Sequence, residues 1–139
     1  MPRLIALLLT PLLLLAGAAP FNAAGAQNAA AIVQQIHDQA YEKCMTDGRF
    51  GAGGELQANC SCSADVVINL LSEEFKQAIA SGTQAAFKGP KLRGDELQRN
   101  VLLLKTCPAI GTYLTQQCAG NPGNPHCEVL QRALEEAGR

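Results

Sequence analysis

The stretch ELQANCSCSADVVINLL, residues 55–71, decides the fold, because its apolar side chains recur at the spacing of an α-helix and not at the two-residue spacing of a strand. The side chains on the resulting stripe are those of Leu56, Cys60, Ala64, Val67 and Leu71. The stripe predicts a helix from about Glu55 to Leu71, with Cys60 facing the core.

The same periodicity continues on both sides of this stretch. Upstream it predicts a first helix over residues 29–47, followed by a glycine-rich loop over residues 48–54. Downstream it predicts a short third helix from Ser72 to Gly82, a loop over 82–94, a fourth helix over 95–106, a fifth from Pro108 to Gly120 and a last one that starts at Asn124. The fold class is therefore all-α, a small bundle of five or six short helices.

Several predicted helices carry recognisable start signals. Ser72 is a predicted N-cap, and Asp95 with Gln98 three positions later matches a capping box. Asn124 is a predicted cap for the last helix, which Pro125 opens. In the fourth helix the unbroken run VLLL, residues 101–104, indicates that this helix is the most buried of the set.

Six cysteines occur in the chain, and all of them follow residue 43. They are Cys44, Cys60, Cys62, Cys107, Cys118 and Cys127. An even number in a small exported chain predicts three disulfides formed in an oxidising compartment. The alternative, a metal site, lacks the C-x2-C and H-x3-H spacings that zinc sites use, so neither a metal nor another cofactor is expected.

The spacing of the cysteines favours one set of pairs without excluding the others. An antiparallel hairpin of the first two helices would bring Cys44 to Cys60, and Cys62 could then reach Cys107. These two pairs could also be exchanged. Cys118 and Cys127 flank the turn Asn-Pro-Gly-Asn-Pro, residues 121–125, so a bond between them would close a small loop.

The first 26 residues have the features of a secretory signal peptide. Arg3 precedes an apolar run over residues 4–19, and the small residues that precede Gln27 form an A-x-A cleavage site ending at Ala26. A second possible cleavage follows Ala18, and an uncleaved anchor is the alternative, although the run is shorter than a spanning helix prefers. Residues 27–139 then form a single disulfide-stabilised domain with no membrane span, located in the periplasm or secreted.

Composition and motifs argue against several functions. Twelve acidic and 11 basic side chains with 4% aromatic residues do not make the basic, aromatic surface of a nucleic-acid binder. The sequence also lacks G-x-S-x-G and H-E-x-x-H, and His37 and His126 have no evident nucleophile beside them. We therefore expect no enzymatic activity.

Four short motifs have structural as well as functional interpretations. Cys60-Ser61-Cys62 could exchange thiols, but the nearest ionisable residue is acidic, which favours two structural disulfides. The glycines at 51–54 favour a connector over an anion site, and Arg93-Gly94-Asp95 favours a helix cap over an adhesion signal. Asn59-Cys60-Ser61 matches the glycosylation pattern, but a bridged Cys60 would hinder modification.

Three functional hypotheses follow from the sequence. The first is an exported, non-enzymatic module that binds another exported or envelope protein or assembles with it. The second is a carrier of a small apolar ligand, in a cavity lined by the fourth helix with Val67, Leu71, Ile110 and Leu114. The third is thiol–disulfide exchange through Cys60 and Cys62.

Overall fold

The structure, a computed structural model, describes residues 21–82 and 89–139. The described residues are all-helical, which confirms the predicted fold class. They form six helices: α1 (Phe21–Asp47), α2 (Gly53–Leu70), α3 (Glu73–Ala80), α4 (Glu96–Thr106), α5 (Ile110–Ala119) and α6 (Pro125–Ala137).

The residues predicted as N-caps lie at the starts of the helices for which they were predicted. The Ser72 hydroxyl accepts a hydrogen bond from the Phe75 backbone N–H at 3.2 Å, which starts α3. At the start of α4 the Asp95 carboxylate accepts from the Gln98 N–H at 2.8 Å, and the Gln98 side chain accepts from the Asp95 N–H at 3.2 Å. This reciprocal pair satisfies backbone donors that have no partner inside the helix.

Other helix ends differ in detail from the prediction. Helix α1 begins at Phe21, upstream of the expected residue 29, and α5 begins at Ile110 because Pro108 lies in a turn that precedes it. Residues 1–20 of the predicted signal peptide lie outside the described residues, so the leader and its cleavage stay predictions. Helix α1 ends as expected at Gly48, whose φ of 60° is a left-handed conformation that glycine adopts without strain.

Two groups of helices build the bundle. Helix α1 packs along α2 and also contacts α3, while α6 packs along α4 and contacts α5. The contact between α2 and α4 joins the two groups. Helices α1 and α2 run antiparallel, since the close pairs Cys44–Cys60 and His37–Asp65 move in opposite directions along the two helices.

Among the described residues, buried side chains form three clusters. The central cluster contains Val66, Leu70, Cys107 and Ile110. The α3 cluster contains Leu71, Phe75 and Ile79, and the α4–α6 cluster contains Leu104, Leu130 and Ala133. Each cluster is small, so the covalent crosslinks between helices add stability that a core of this size lacks.

Three disulfides connect the helices, in the pairs that the cysteine spacing favoured. Cys44–Cys60 joins α1 to α2, Cys62–Cys107 joins α2 to the end of α4, and Cys118–Cys127 joins α5 to α6. The pairs are 16, 45 and 9 residues apart in the sequence. Bridges of this kind contribute about 2–4 kcal/mol each, and more for longer loops, in the chain-entropy description.

The loop before α4 is held by a short backbone pairing. Leu71 and Leu92 form an isolated antiparallel bridge, in which the Ser72 N–H donates to the Lys91 carbonyl at 2.8 Å and the Arg93 N–H to the Leu70 carbonyl at 2.7 Å. Of the predicted loop, residues 83–88 lie outside the described residues. The pairing fixes the chain on its way from α3 to α4.

Two expectations about burial were wrong. Helix α4 is not the most buried helix, because only Leu104 of the run 101–104 is fully buried, whereas α2 has five buried residues. On α2 the buried valine is Val66, not Val67. Both errors concern how many neighbours a helix has. Helix α2 lies between α1 and α4 and therefore has two inward faces. Helix α4 has apolar residues on several faces, but other helices cover only part of its surface.

We expect substitutions at buried and at half-buried positions of α4 to differ in their effect on the free energy of unfolding. Leu104→Ala should lower the free energy of unfolding by about 2–5 kcal/mol, because it leaves a cavity beside Leu130 and Ala133. Leu102→Ala should cost clearly less, since the Leu102 side chain is only half-buried. Urea denaturation of the two variants measures the difference, and equal losses would contradict this description of α4.

Candidate functional site

The Cys60-Ser61-Cys62 motif is divided between two crosslinks. Cys60 bonds to α1 and Cys62 to the end of α4, because positions two residues apart on a helix point to different sides. Cys60 is 0% exposed, and Cys107, the partner of Cys62, is 3% exposed. No cysteine in the described part of the chain is free. The motif therefore presents two structural bridges and no thiolate.

Both histidines contact carboxylates on other helices. The Nε2 atom of His37 on α1 lies 3.2 Å from the Asp65 carboxylate on α2, and the Nδ1 atom of His126 on α6 lies 2.8 Å from the Glu96 carboxylate on α4. Neither histidine has a serine or cysteine nucleophile as its hydrogen-bond partner in these contacts. The described residues also contain no group of three or more histidine, cysteine or acidic side chains that could hold a metal ion.

Two other motifs are occupied by structural contacts. Asn59 is 6% exposed, and its side-chain amide donates to the Phe50 carbonyl at 2.8 Å, so the folded protein does not offer this amide for glycosylation. In the Arg93-Gly94-Asp95 tripeptide, the guanidinium donates to the Asn69 carbonyl at 2.6 Å and the carboxylate caps α4. The Asn59 side chain is therefore held inside the fold, whereas Arg93 and Asp95 are exposed side chains that make structural hydrogen bonds.

The glycine-rich loop between α1 and α2 packs against α5. A Cβ atom on Gly51 would lie 3.1 Å from the Tyr113 hydroxyl, and the φ of Gly51 is 116°, a value that side chains rarely allow. The Gln117 side chain donates to the Arg49 carbonyl at 3.4 Å in the same region. The loop is therefore a packed connector, as its sequence indicated.

Tyr113 also interacts with the first turn of α2. Its hydroxyl donates a hydrogen bond to the Glu55 carboxylate, and this bond, with partial burial and the negative charge of Glu55, raises the pKa of Tyr113 above its usual value. The contact joins α5 to the start of α2. We assign it a structural role.

The best candidate for a binding site is an open groove between α1 and α3, which we call the α1–α3 groove. It has a volume of about 320 Å³, and its lining residues are Ile32, Gln35, Ile36, Gln39, Phe75, Ile79, Gly89 and Pro90. Phe75 and Ile79, which are 4% and 3% exposed, form its floor, and Ile32 and Ile36 line the α1 side. The exposed side chains of Gln35 and Gln39 stand at its rim.

The described lining of the α1–α3 groove is uncharged. Among the described residues none of the lining side chains is titratable, and the two glutamine amides can each donate and accept a hydrogen bond. A second groove, between α1 and α2, is more polar and contains His37 and Asp65. The two grooves therefore differ in chemistry, and only the first combines an apolar floor with a neutral polar rim.

The four residues that were predicted, with the fourth helix, to line a cavity for an apolar ligand lie in different parts of the structure. Leu71 and Ile110 are both 0% exposed, and they belong to different clusters, the α3 cluster and the central cluster. Leu114 packs against the central cluster and Val67 lines a small groove next to Cys44. The structure does not bring these four side chains together around one cavity.

In the part of the chain that the structure describes, no helix combines the length and the hydropathy needed to cross a bilayer. Fold and crosslinks together define the class of protein: an all-α domain with three intramolecular disulfides, which indicate an oxidising compartment. Comparisons with protein-family models, with curated proteins and with solved structures found no match to this chain.

The contact between Tyr113 and Glu55 predicts a pH effect. Because the folded pKa of Tyr113 is raised, the contact stabilises the fold while the hydroxyl is protonated, and this contribution is lost as the pH rises through that pKa. Glu55→Gln should lower the pKa of Tyr113 toward its usual value, because the carboxylate acceptor and its charge are removed while the partial burial remains. The absorbance of tyrosinate as a function of pH measures the pKa. Tyr113→Phe is the control, because Tyr41 is then the only tyrosine left to titrate. An unchanged titration in Glu55→Gln would show that the hydrogen bond is not its cause.

Proposed function

We propose that this protein is an exported, non-enzymatic helical module that binds another exported or envelope protein through the α1–α3 groove. The single observation that carries the proposal is the combination, in that groove, of an apolar floor and an uncharged polar rim. The disulfides favour the periplasm or the extracellular space as its location.

The chemistry of the groove favours a particular kind of partner segment. Ile32, Ile36, Phe75 and Ile79 would exclude water from an apolar side chain, which makes burial of such a side chain favourable. A charged side chain would find no counter-charge among the lining residues, so its desolvation would not be compensated. The occupant we propose is therefore an apolar, uncharged segment of another exported protein.

The shape of the groove favours a protein partner over a small ligand. Sites for small molecules enclose most of the surface of the ligand, whereas this groove is open along one side. Its rim amides Gln35 and Gln39 are placed to bond the backbone of an extended segment, which has unpaired donors and acceptors. A carrier of an apolar ligand is the alternative.

The groove can be tested by site-specific photocrosslinking in the native compartment. A benzophenone side chain at position 35 or 39 should form an adduct with one partner, and the crosslinked peptide of that partner should be apolar and uncharged. The same side chain at Gln57 or Gln116 should not form this adduct, because these exposed glutamines do not line the α1–α3 groove.

Two pairs of variants that introduce negative charge complete the test. Gln35→Glu with Gln39→Glu should weaken binding of the purified partner about tenfold or more, since two carboxylates at the rim would have to lose water on binding. Gln57→Glu with Gln116→Glu adds the same charge elsewhere and should leave binding unchanged. Adducts only with a second copy of the chain, or equal effects of the two double variants, would overturn the proposal.

A further inference from the structure

The Cys118–Cys127 bridge differs from the other two in its surroundings. Both cysteines are half-buried, and both line an open groove of about 330 Å³ between α5 and α6. In the other bridges one partner is in the core, Cys60 at 0% and Cys107 at 3% exposure. Cys44 also lines a groove, but the sulfur bonded to it is the buried one of Cys60.

This difference matters because thiol–disulfide exchange uses both sulfurs of a bridge. A thiolate attacks one sulfur, and the other sulfur leaves as a thiolate. If the buried sulfur is the one to be attacked, the incoming thiolate cannot reach it. If the buried sulfur is the leaving one, its thiolate forms in apolar surroundings, where the charge is poorly solvated. Only at Cys118–Cys127 can the attacked sulfur and the leaving thiolate both be at a surface groove.

The fold around this bridge can also tolerate its opening. Helix α6 packs on α4 through Leu104, Leu130 and Ala133, so its position does not depend on the bridge alone. The turn between the two cysteines has its own backbone hydrogen bonds, from the Asn121 N–H to the Cys118 carbonyl at 3.1 Å and from the Asn124 N–H to the Asn121 carbonyl at 3.2 Å. Opening the bridge would therefore be a local change.

We propose that Cys118–Cys127 is a thiol–disulfide exchange site of this protein, open to thiols from outside. The thiolate of a small thiol attacks one sulfur to form a mixed disulfide and releases the other cysteine as a thiolate. A second thiol then attacks the mixed disulfide, which leaves two cysteine thiols and one external disulfide. The bridge gains two electrons and the two external thiols lose them. The proposal does not depend on the α1–α3 groove.

Differential alkylation of the oxidised protein tests this site. The folded protein is incubated with reduced glutathione, quenched at intervals with a maleimide and analysed by peptide mapping. Cys118 and Cys127 should be labelled about tenfold faster than the other four cysteines, because their exchange needs no opening of the core. A glutathione adduct on one of the two should precede the double label. First labelling of any other pair, or of all six together, would overturn the proposal.

Two double variants serve as controls. In Cys118→Ser with Cys127→Ser the fast phase should disappear while the helical signal in circular dichroism remains. In Cys44→Ser with Cys60→Ser the fast phase at Cys118 and Cys127 should persist. If this second variant does not fold, the order of labelling in the unaltered protein decides alone. Loss of the helical signal in the first variant would show that this bridge is structural, contrary to the proposal.

Discussion

The attachment of α2 on two of its faces is the constraint on which the rest of the structure depends. Cys60 is bonded to α1 on one face, and Cys62 is bonded to the end of α4 on another. Val66 and Leu70 continue the Cys62 face at four-residue intervals and pack with Cys107 and Ile110 in the central cluster. Two cysteines separated by one serine thus hold both groups of helices to a single central helix, which a single apolar stripe could not do.

Much of the fold could be predicted from the sequence because its signals are local. Caps such as Ser72, Asp95 and Asn124 act on backbone groups within one helical turn, so the sequence near them is sufficient. The burial pattern could not be predicted as well, since it depends on how many neighbours a helix has. The sequence predicts one inward stripe for α2 and predicts that α4 is the most buried helix, but the number of helices that cover each of them depends on the tertiary contacts.

The candidate binding site had no signal in the sequence. The α1–α3 groove combines residues near position 35 with residues near 77 and with Gly89 and Pro90, and each set taken alone has the composition of an ordinary amphipathic segment. The C-S-C motif could not show how accessible its two bridges are, for a related reason. A motif shows which cysteines are close in sequence, but burial decides which of them a reagent can reach, and Cys60 is in the core.

The two proposed sites lie on different groups of helices, and this separation has a physical consequence. The walls of the α1–α3 groove belong to elements held by Cys44–Cys60 and by the α3 cluster, while the exchange site lies on α5 and α6. The two groups are joined by the contact of α2 with α4, by the Cys62–Cys107 bridge and by contacts of α5 through Ile110 and Tyr113, and none of these includes Cys118 or Cys127. A change of redox state at α5 and α6 should therefore leave the binding groove intact, because no crosslink or cluster that shapes the groove includes Cys118 or Cys127.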